Sequence, residues 1–542
     1  WPHSEALRCG AARGVMMTLA KKYFLSLETL VQGFSTVTLN STVSVSGITI
    51  DSRLVKQGDC FVALKGTQTD GSHYIEQAIG SGAVAVLVDA QSGLLVDQSR
   101  LSVPVVAINQ LSSRLSEIAG RFYGNPSHDM DVVAFTGTNG KTTCSLLYAQ
   151  LLAKAKVLGE QQKSSFIGTT GYGVAEPQRS NTSDQLFKAK RSGDIQLTTP
   201  DAVSVQRIMA ELAMNGTQSV ALEASSHSLV QCRLESIEID IAVFTNLSRD
   251  HLDYHPDLES YAAAKARLFE LPSVQTAIIN LDDAVGVEIA ANLPSAMQLI
   301  TFSLANQEAD IHCQKIDLDA SGIRAQLVTP WGEGEIISSL IGSFNLSNLL
   351  AVVAAACARG VTLENCLQLL PELQAAPGRM QSVSVSAEPQ VIIDYAHTPD
   401  ALEKALQAIK PYCLGQLWLV FGCGGNRDTG KRIEMGKIAN QYADRIIVTN
   451  DNPRFEQPEQ IAEQIIEGID GEVNVELDRR RAISTSIIQA ERQDIILIAG
   501  KGHEDYQIIG DTRLPFSDQQ EALIALEAVL ASREHHNKGG VS

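Results

Sequence analysis

A chain of 542 residues, 44% hydrophobic and 19% charged, has the composition of a soluble globular protein of several domains, three being the expectation. Its 43 basic and 62 acidic residues leave a formal charge of −19, which speaks against a nucleic-acid or membrane footprint and makes any cluster of Lys and Arg informative. Nine scattered cysteines with no C-x-x-C pair suggest neither a disulfide scaffold nor a zinc site, and fit a reducing cytoplasm; no apolar run approaches the ~20 residues of a membrane span.

Residues 1–16 lack the apolar core of a signal peptide and read as a tail, upstream of a start near Met16 or Met17. From 17 to 128, Val45–Ile50, Gly58–Leu64, Ala83–Asp89 and Pro104–Ile108 read as strands. The polar loops Asp51–Arg53 and Lys65–Tyr74 could hold a ligand, or simply turn the chain. Asn125–Ser127 marks a linker.

The central segment, 129–375, opens with a strand at Asp131–Phe135, a turn at Thr136–Gly140 and a helix from Thr142 to Leu152. A glycine turn between strand and helix directs backbone N–H groups at a phosphate, where the helix adds its positive end. Lys141 offers a cation to the outer phosphates, and the Thr142 hydroxyl suits a magnesium ion. Phe135 stands where the common phosphate loop has glycine, leaving the shorter Gly137-Thr-Asn-Gly-Lys-Thr142; a bound nucleoside triphosphate is expected. Strand-like runs recur at Ser219–Leu222, Ile239–Thr245 and Thr276–Asn280 between helical segments, the pattern of a parallel sheet. Glu223 falls just past one strand, and Arg249-Asp-His-Leu-Asp-Tyr-His255 past another. Carboxylates with a histidine suit magnesium or manganese better than zinc, although a solvated loop would explain either segment alone. The polar stretch 176–196 reads as a surface insertion. Lys265 lies among alanines in the helix Tyr261–Phe269, where a lysine ordinarily snorkels to water. Asn345 and Asn348 open a helix, placed to read an adenine edge or to cap. The apolar Leu349–Ala358 continues it as a buried helix.

The last segment, 376–542, alternates strands with loops: Val391–Ile393 before Asp394–Pro399, Leu417–Phe421 before Gly422–Arg432, Arg445–Val448 before Thr449–Arg454, and Ile495–Ile498 before Ala499–Tyr506. Thr398 and Pro399 look like the cap and first position of a helix. In a doubly wound sheet these loops share one edge, with Arg427, Arg454, His503 and Glu504 as its charges. The glycine-rich 422–425 lacks the G-x-G-x-x-G order of a dinucleotide site.

Gly137–Thr142, Asn246-Leu-Ser-Arg-Asp-His-Leu-Asp253, the Lys265 helix, Gly342-Ser-Phe-Asn345 and Asp394-Tyr-Ala-His397, with Asp451–Arg454 and Gly500–Glu504, together resemble the Mur ligase family over nearly the whole chain. The resemblance implies three α/β domains: a UDP-substrate domain (17–128), a central parallel-sheet ATPase domain with the phosphate loop (129–375), and a Rossmann-like domain (376–542). It implies an ATP-dependent ligase of peptidoglycan synthesis that joins diaminopimelate to a UDP-muramoyl dipeptide in the cytoplasm, expected as a monomer. Ile50, Ser52, Thr67, Gln68 and Thr69 would hold the UDP-sugar, and Thr198, Thr199, Ser226, Gln231 and Arg233 the muramoyl dipeptide. ATP would meet Gly137, Thr138, Asn139, Gly140, Lys141, Thr142, Thr143, Asn345, Arg379 and Asp394. Glu223 and His251 match magnesium ligands beside Thr142, and Lys265 a lysine that becomes a ligand on carbamylation; Lys141, His251 and Lys265 would be catalytic. Arg427, Asp451, Asn452, Pro453, Arg454, Gly500 and Glu504 match the amino-acid pocket. Leu197 and Asn426 depart from the family's usual asparagine and aspartate. Arg454 would grip the far carboxylate of diaminopimelate, and lysine would leave a buried arginine unpaired at about 3–5 kcal/mol. Rivals are a related ligase with a different acceptor, such as folylpolyglutamate synthase, and a nucleotide-dependent switch without chemistry.

Overall fold

A computed structural model describes residues 23–34, 43–66, 69–91, 101–157, 159–175, 197–319, 322–383, 389–471 and 473–539. The tail 1–16, Thr67, Gln68 and the insertion 176–196 lie outside them. The chain divides into two units, 1–114 with 121–123, and 115–120 with 124–542.

The first unit carries a parallel sheet, β1 (Gly47–Thr49), β2 (Asp59–Ala63), β3 (Ala85–Asp89) and β4 (Val105–Ile108), in that spatial order. Phe61, Val86 and Val88 pack against Ile75 and Ala78 of α1 (Ile75–Gly80). The strand expected over Val45–Ile50 is split, because Ser44–Val45 pairs with Leu25–Ser26 in a separate antiparallel ribbon. The helix α2 (Leu111–Tyr123) follows. The expected linker is Asn125 in a left-handed conformation (φ 50°) leading into a short helical turn over Pro126–Asp129.

The second unit contains two sheets. The first is built from β5 (Asp131–Thr136), α3 (Lys141–Lys154), β6 (Ser164–Gly168), β7 (Gly171–Val174), α4 (Ala202–Met214), β8 (Ser219–Glu223), α5 (Ser226–Val230), β9 (Ile241–Phe244), α6 (Leu258–Ala266), β10 (Thr276–Asn280), α7 (Ala284–Asn292), β11 (Gln298–Ser303), β12 (Ile311–Asp319), β13 (Gly322–Thr329), β14 (Gly332–Ser338), α8 (Ser343–Ala358) and α9 (Leu363–Leu369). Its ten strands run β7-β6-β8-β5-β9-β10-β11-β12-β13-β14; β6 through β12 are mutually parallel, and β7, β13 and β14 add antiparallel edges. Alternate side chains of β5 serve opposite faces: Val133 and Phe135 join the core under α3 and α8, while Val132 and Ala134 join the one under α4. Burial on both faces explains why β5 reads as an unbroken apolar run.

The second sheet has the order β15-β16-β20-β17-β18-β19, formed by β15 (Gln381–Val383), β16 (Gln390–Asp394), β17 (Leu417–Phe421), β18 (Arg445–Val448), β19 (Asn474–Val475) and β20 (Ile495–Ala499). All but β15 are parallel, so the loops after β16, β17, β18 and β20 share one edge, as expected. Helices α10 (Pro399–Ile409), α11 (Gly430–Tyr442), α12 (Pro458–Ile466), α13 (Arg479–Gln489) and α14 (Asp518–Gly539) cover its faces, and a hairpin, β21 (Tyr506–Ile509) and β22 (Thr512–Pro515), precedes α14. The Thr398 hydroxyl accepts from the Ala401 amide with Pro399 at the first position, so α10 starts where its sequence says.

Candidate active site

The loop between β5 and α3 is shaped by two glycines at positive φ, where a side chain would be strained. Gly137 has φ 149°, and a Cβ there would run into the Thr245 hydroxyl; Gly140 caps α3 at φ 88° with no side chain over the helix end. The first N–H groups of α3 therefore remain open to an anion. The Lys141 ammonium donates to the carbonyls of Gly137 (2.8 Å) and Thr138 (2.9 Å).

Glu223, at the end of β8, is 1% exposed. It accepts from the Thr142 hydroxyl (2.9 Å), the Thr169 amide (2.9 Å) and the Thr169 hydroxyl (2.9 Å). Burial pushes its pKa up, against the pull of Lys141 and of these donors. Lys265 does not snorkel. It is 1% exposed, donates to the Gly137 carbonyl at 2.7 Å, and sits 4.4 Å from the centre of the Tyr261 ring. Burial first, and then the like charge of Lys141, hold its pKa well below the usual lysine value. That shift favours the neutral, nucleophilic amine, the form that carbamylation requires.

His251 adopts a left-handed backbone (φ 55°). Burial, with Lys141 and Lys265 nearby, lowers its pKa to about 4 despite Asp250, so the ring is uncharged at neutral pH. A hydroxyl, a carboxylate and a neutral imidazole fit magnesium. Among the described residues no group of three or more His, Cys, Asp or Glu side chains is placed to hold a metal ion.

Beside this centre the structure gathers the residues expected for the muramoyl dipeptide. Thr199 donates to the Glu223 carbonyl (2.6 Å), and Arg233 donates to the Thr199 carbonyl (2.5 Å) and to Gln231 Oε1 (2.6 Å). Ser226 meets His255 Nε2 at 2.9 Å, a partner that the sequence reading left unassigned. Thr198 is half-buried alongside. In the first unit, Ser52 donates to Gln77 (3.3 Å), Ile50 is half-buried and Thr69 is exposed.

The loops of the second sheet meet the first across the unit. Asn139 of the phosphate loop donates to Asp400 of α10 (2.9 Å), Arg249 pairs with Asp428 (3.5 Å) and Glu434 (3.3 Å), and Arg427 with Asp253 (3.3 Å). Burial alone would raise the Asp250 pKa, yet His251, His397 and Lys431 around it hold it at about 2. Arg379 stacks on Tyr395 at 4.5 Å while its buried Nε finds no acceptor among the described residues. Asp394 gives one oxygen to the Met380 amide and the other to the Ala396 amide, each at 2.7 Å, tying the strap at 378–380 to β16. Asn345 donates to the Ile341 carbonyl (2.8 Å) and accepts from Asn348 (3.2 Å), so it does not cap α8.

Among the residues expected to receive the amino acid, Arg454 is left-handed (φ 51°) and half-buried, not buried as expected. Its amide donates to Ile508 (3.1 Å) and its carbonyl accepts from Gly510 (2.7 Å), fastening it to the β21–β22 hairpin. The Arg454 Nη1 donates to the Gly425 carbonyl (2.9 Å). Asn426, also left-handed, accepts from the Phe455 amide through Oδ1 (3.1 Å), a bond that aspartate would make equally well. Three buried cations missed in the sequence support these loops. Arg432 binds Glu456 (2.8 Å) and the Gly424 carbonyl (3.2 Å); Arg479 binds Asp518 (2.7 Å) and the carbonyls of Asn450 (3.3 Å) and Ala499 (2.9 Å); Lys501 lies against Asp451 and Glu504.

Three family models match in succession: "Mur ligase family, catalytic domain" over 44–123, "Mur ligase middle domain" over 135–356, and "Mur ligase, glutamate ligase domain" over 378–502. The UDP-N-acetylmuramoyl-L-alanyl-D-glutamate–2,6-diaminopimelate ligase of Ectopseudomonas mendocina is 46% identical over 90% of this chain and 96% of its own length; that of Coxiella burnetii is 43% identical over 90% and 97%. A solved structure of a ligase of the same name is 37% identical, with a TM-score of 0.63 over 93% of this chain and 99% of the other. The MurF structure of Acinetobacter baumannii, at 18% identity and TM-score 0.61 over 94% and 99%, shares the fold.

Proposed function

This chain belongs to the Mur ligase family, and from that premise we propose that it is the ATP-dependent ligase that adds meso-2,6-diaminopimelate to UDP-N-acetylmuramoyl-L-alanyl-D-glutamate in peptidoglycan synthesis. The observation that carries the reading is the meeting of two loop edges in one unit: the phosphate loop with Lys141, Glu223 and Lys265 on one side, Arg379 and the Asp451–Arg454 loop on the other.

A carboxylate is a poor acylating agent, so the dipeptide's terminal carboxylate first attacks the γ-phosphoryl group of ATP. That transfer demands alignment and charge neutralisation, not a covalent enzyme intermediate. The open N–H groups of α3 and the Lys141 ammonium take the phosphate oxygens, Lys141 exchanging its two loop carbonyls for them. Arg379, with its unpartnered Nε, closes on the nucleotide from the second sheet. Thr142, Glu223, His251 and a carbamylated Lys265 would hold magnesium, which would neutralise charge on the phosphates when bound. Thr199, Ser226, Gln231 and Arg233 orient the dipeptide, and Ile50, Ser52 and the 67–69 loop its UDP-sugar. The acyl phosphate then accepts the amine of diaminopimelate, and collapse of the tetrahedral adduct releases phosphate. Arg427, Arg454 and Glu504 position that amino acid. The enzyme works as a cytoplasmic monomer, and its domains run 17–128, 129–375 and 376–542.

Phosphate release measured with each substrate omitted in turn tests the proposal. Turnover should require ATP, the UDP-muramoyl dipeptide and diaminopimelate together. Release without the amino acid, or equal release with glutamate as acceptor, would refute it.

A further inference from the structure

We propose that Lys501 is a positioning residue of the amino-acid pocket, its ammonium fixing Asp451, Asn452 and Glu504 in the arrangement that receives the zwitterionic far end of diaminopimelate. The inference rests on the reading of that pocket given above and assigns a part to a residue outside it.

The Lys501 side chain is fully buried, and its ammonium reaches Asn452 Oδ1 (3.1 Å), Glu504 Oε2 (3.1 Å) and Asp451 Oδ1 (3.3 Å). A buried ammonium persists only where acceptors surround it, and here it has three. Two left-handed glycines, Gly500 (φ 116°) and Gly502 (φ 53°), flank it in the turn after β20.

The consequence for the pocket is orientational. Asn452 Oδ1 accepts from Lys501 and from the Ile508 amide (2.9 Å), two donors that forbid the flipped amide. Its Nδ2 must therefore point at Glu504 Oε2, which it meets at 2.9 Å. Lys501 and Asn452 thus hold the same oxygen of Glu504, and neither holds Oε1. Asp451 is anchored again through its carbonyl, which accepts from Gln507 (2.8 Å). One ammonium between two carboxylates leaves the group a net negative charge, complementary to an incoming ammonium, while Arg454 nearby complements a carboxylate. A substrate with both groups on its distal carbon matches that pairing.

The test measures KM for diaminopimelate, ATP and the UDP-muramoyl dipeptide in Lys501→Met and Lys501→Arg, each checked for folding by thermal melting. Lys501→Met should raise KM for diaminopimelate by about tenfold or more, the effect of losing an aligned charged hydrogen bond, with the other two within about twofold. Lys501→Arg keeps the charge but not the compact three-way geometry, and should show a smaller rise confined to the same substrate. It decides the question if the methionine variant does not fold. Unchanged KM for diaminopimelate in a folded variant, or equal rises for all three substrates, would overturn the proposal. If the wild-type enzyme itself fails to turn over diaminopimelate, the reading of the function falls instead, so the two failures are distinguishable.

Discussion

Replacing Arg454 with methionine should abolish the choice between diaminopimelate and lysine. Arg454 Nη1 is engaged by the Gly425 carbonyl at 2.9 Å and, weakly, by Asn452 at 3.4 Å, while Nε and Nη2 meet no acceptor among the described residues. That free edge has the two parallel donors that grip a carboxylate. The penalty for a fully buried unpaired arginine, about 3–5 kcal/mol, is too large here because the residue is half-buried and water can partly re-solvate it. About 1.5–3 kcal/mol, the worth of a hydrogen bond to a charged group, is the better figure. At about 1.4 kcal/mol per decade this gives roughly tenfold to hundredfold preference. Steady-state kcat/KM for the two amino acids, with the other substrates saturating, should show that preference in the wild type. Arg454→Met should approach parity by losing diaminopimelate activity while lysine activity stays level. Parity in the wild type, or an intact preference in the variant, would remove Arg454 from this role.

Lys265→Ala should lose activity that added short carboxylic acids partly restore, since they replace the anionic ligand; a fully active variant would defeat the carbamate assignment. Gly137→Ala should weaken nucleotide binding by about tenfold or more, measured calorimetrically, because the left-handed turn and the Thr245 hydroxyl together impose about 1–3 kcal/mol of strain. Arg479→Met should cost about 3–5 kcal/mol by stranding Asp518 in the core, seen as a lower melting temperature. Arg479→Met combined with Asp518→Leu should recover much of that loss, because no charge is then left unpaired.

The parts of the site that follow from local sequence were legible in it. β5 is apolar throughout because both faces are covered, and the glycines, Lys141 and Thr142 follow it directly. Glu223 and Asp394 stand at strand ends, and the Thr398-Pro399 pair announces α10. What long-range packing decides was not legible. Lys265 in an alanine-rich helix reads as a surface residue, and only the Gly137 carbonyl beneath it reveals otherwise. Arg432, Arg479 and Lys501 drew no role from the sequence, because their partners Glu456, Asp518 and Asp451 lie far along the chain. The strand β12 and the antiparallel pair β13–β14 that extends it were missed because nothing in the βα alternation before them signals that the sheet continues without helices.

The left-handed Arg454 is held at its backbone by the β21–β22 ribbon, through Ile508 and Gly510. Ile508 and Gly510 act on the guanidinium as a mount acts on a lens, so a residue inserted or deleted between 506 and 515 would re-aim it without altering the residues of the Asp451–Arg454 loop. Under the proposed function, a change in that hairpin would then shift acceptor preference with the Asp451–Arg454 sequence intact.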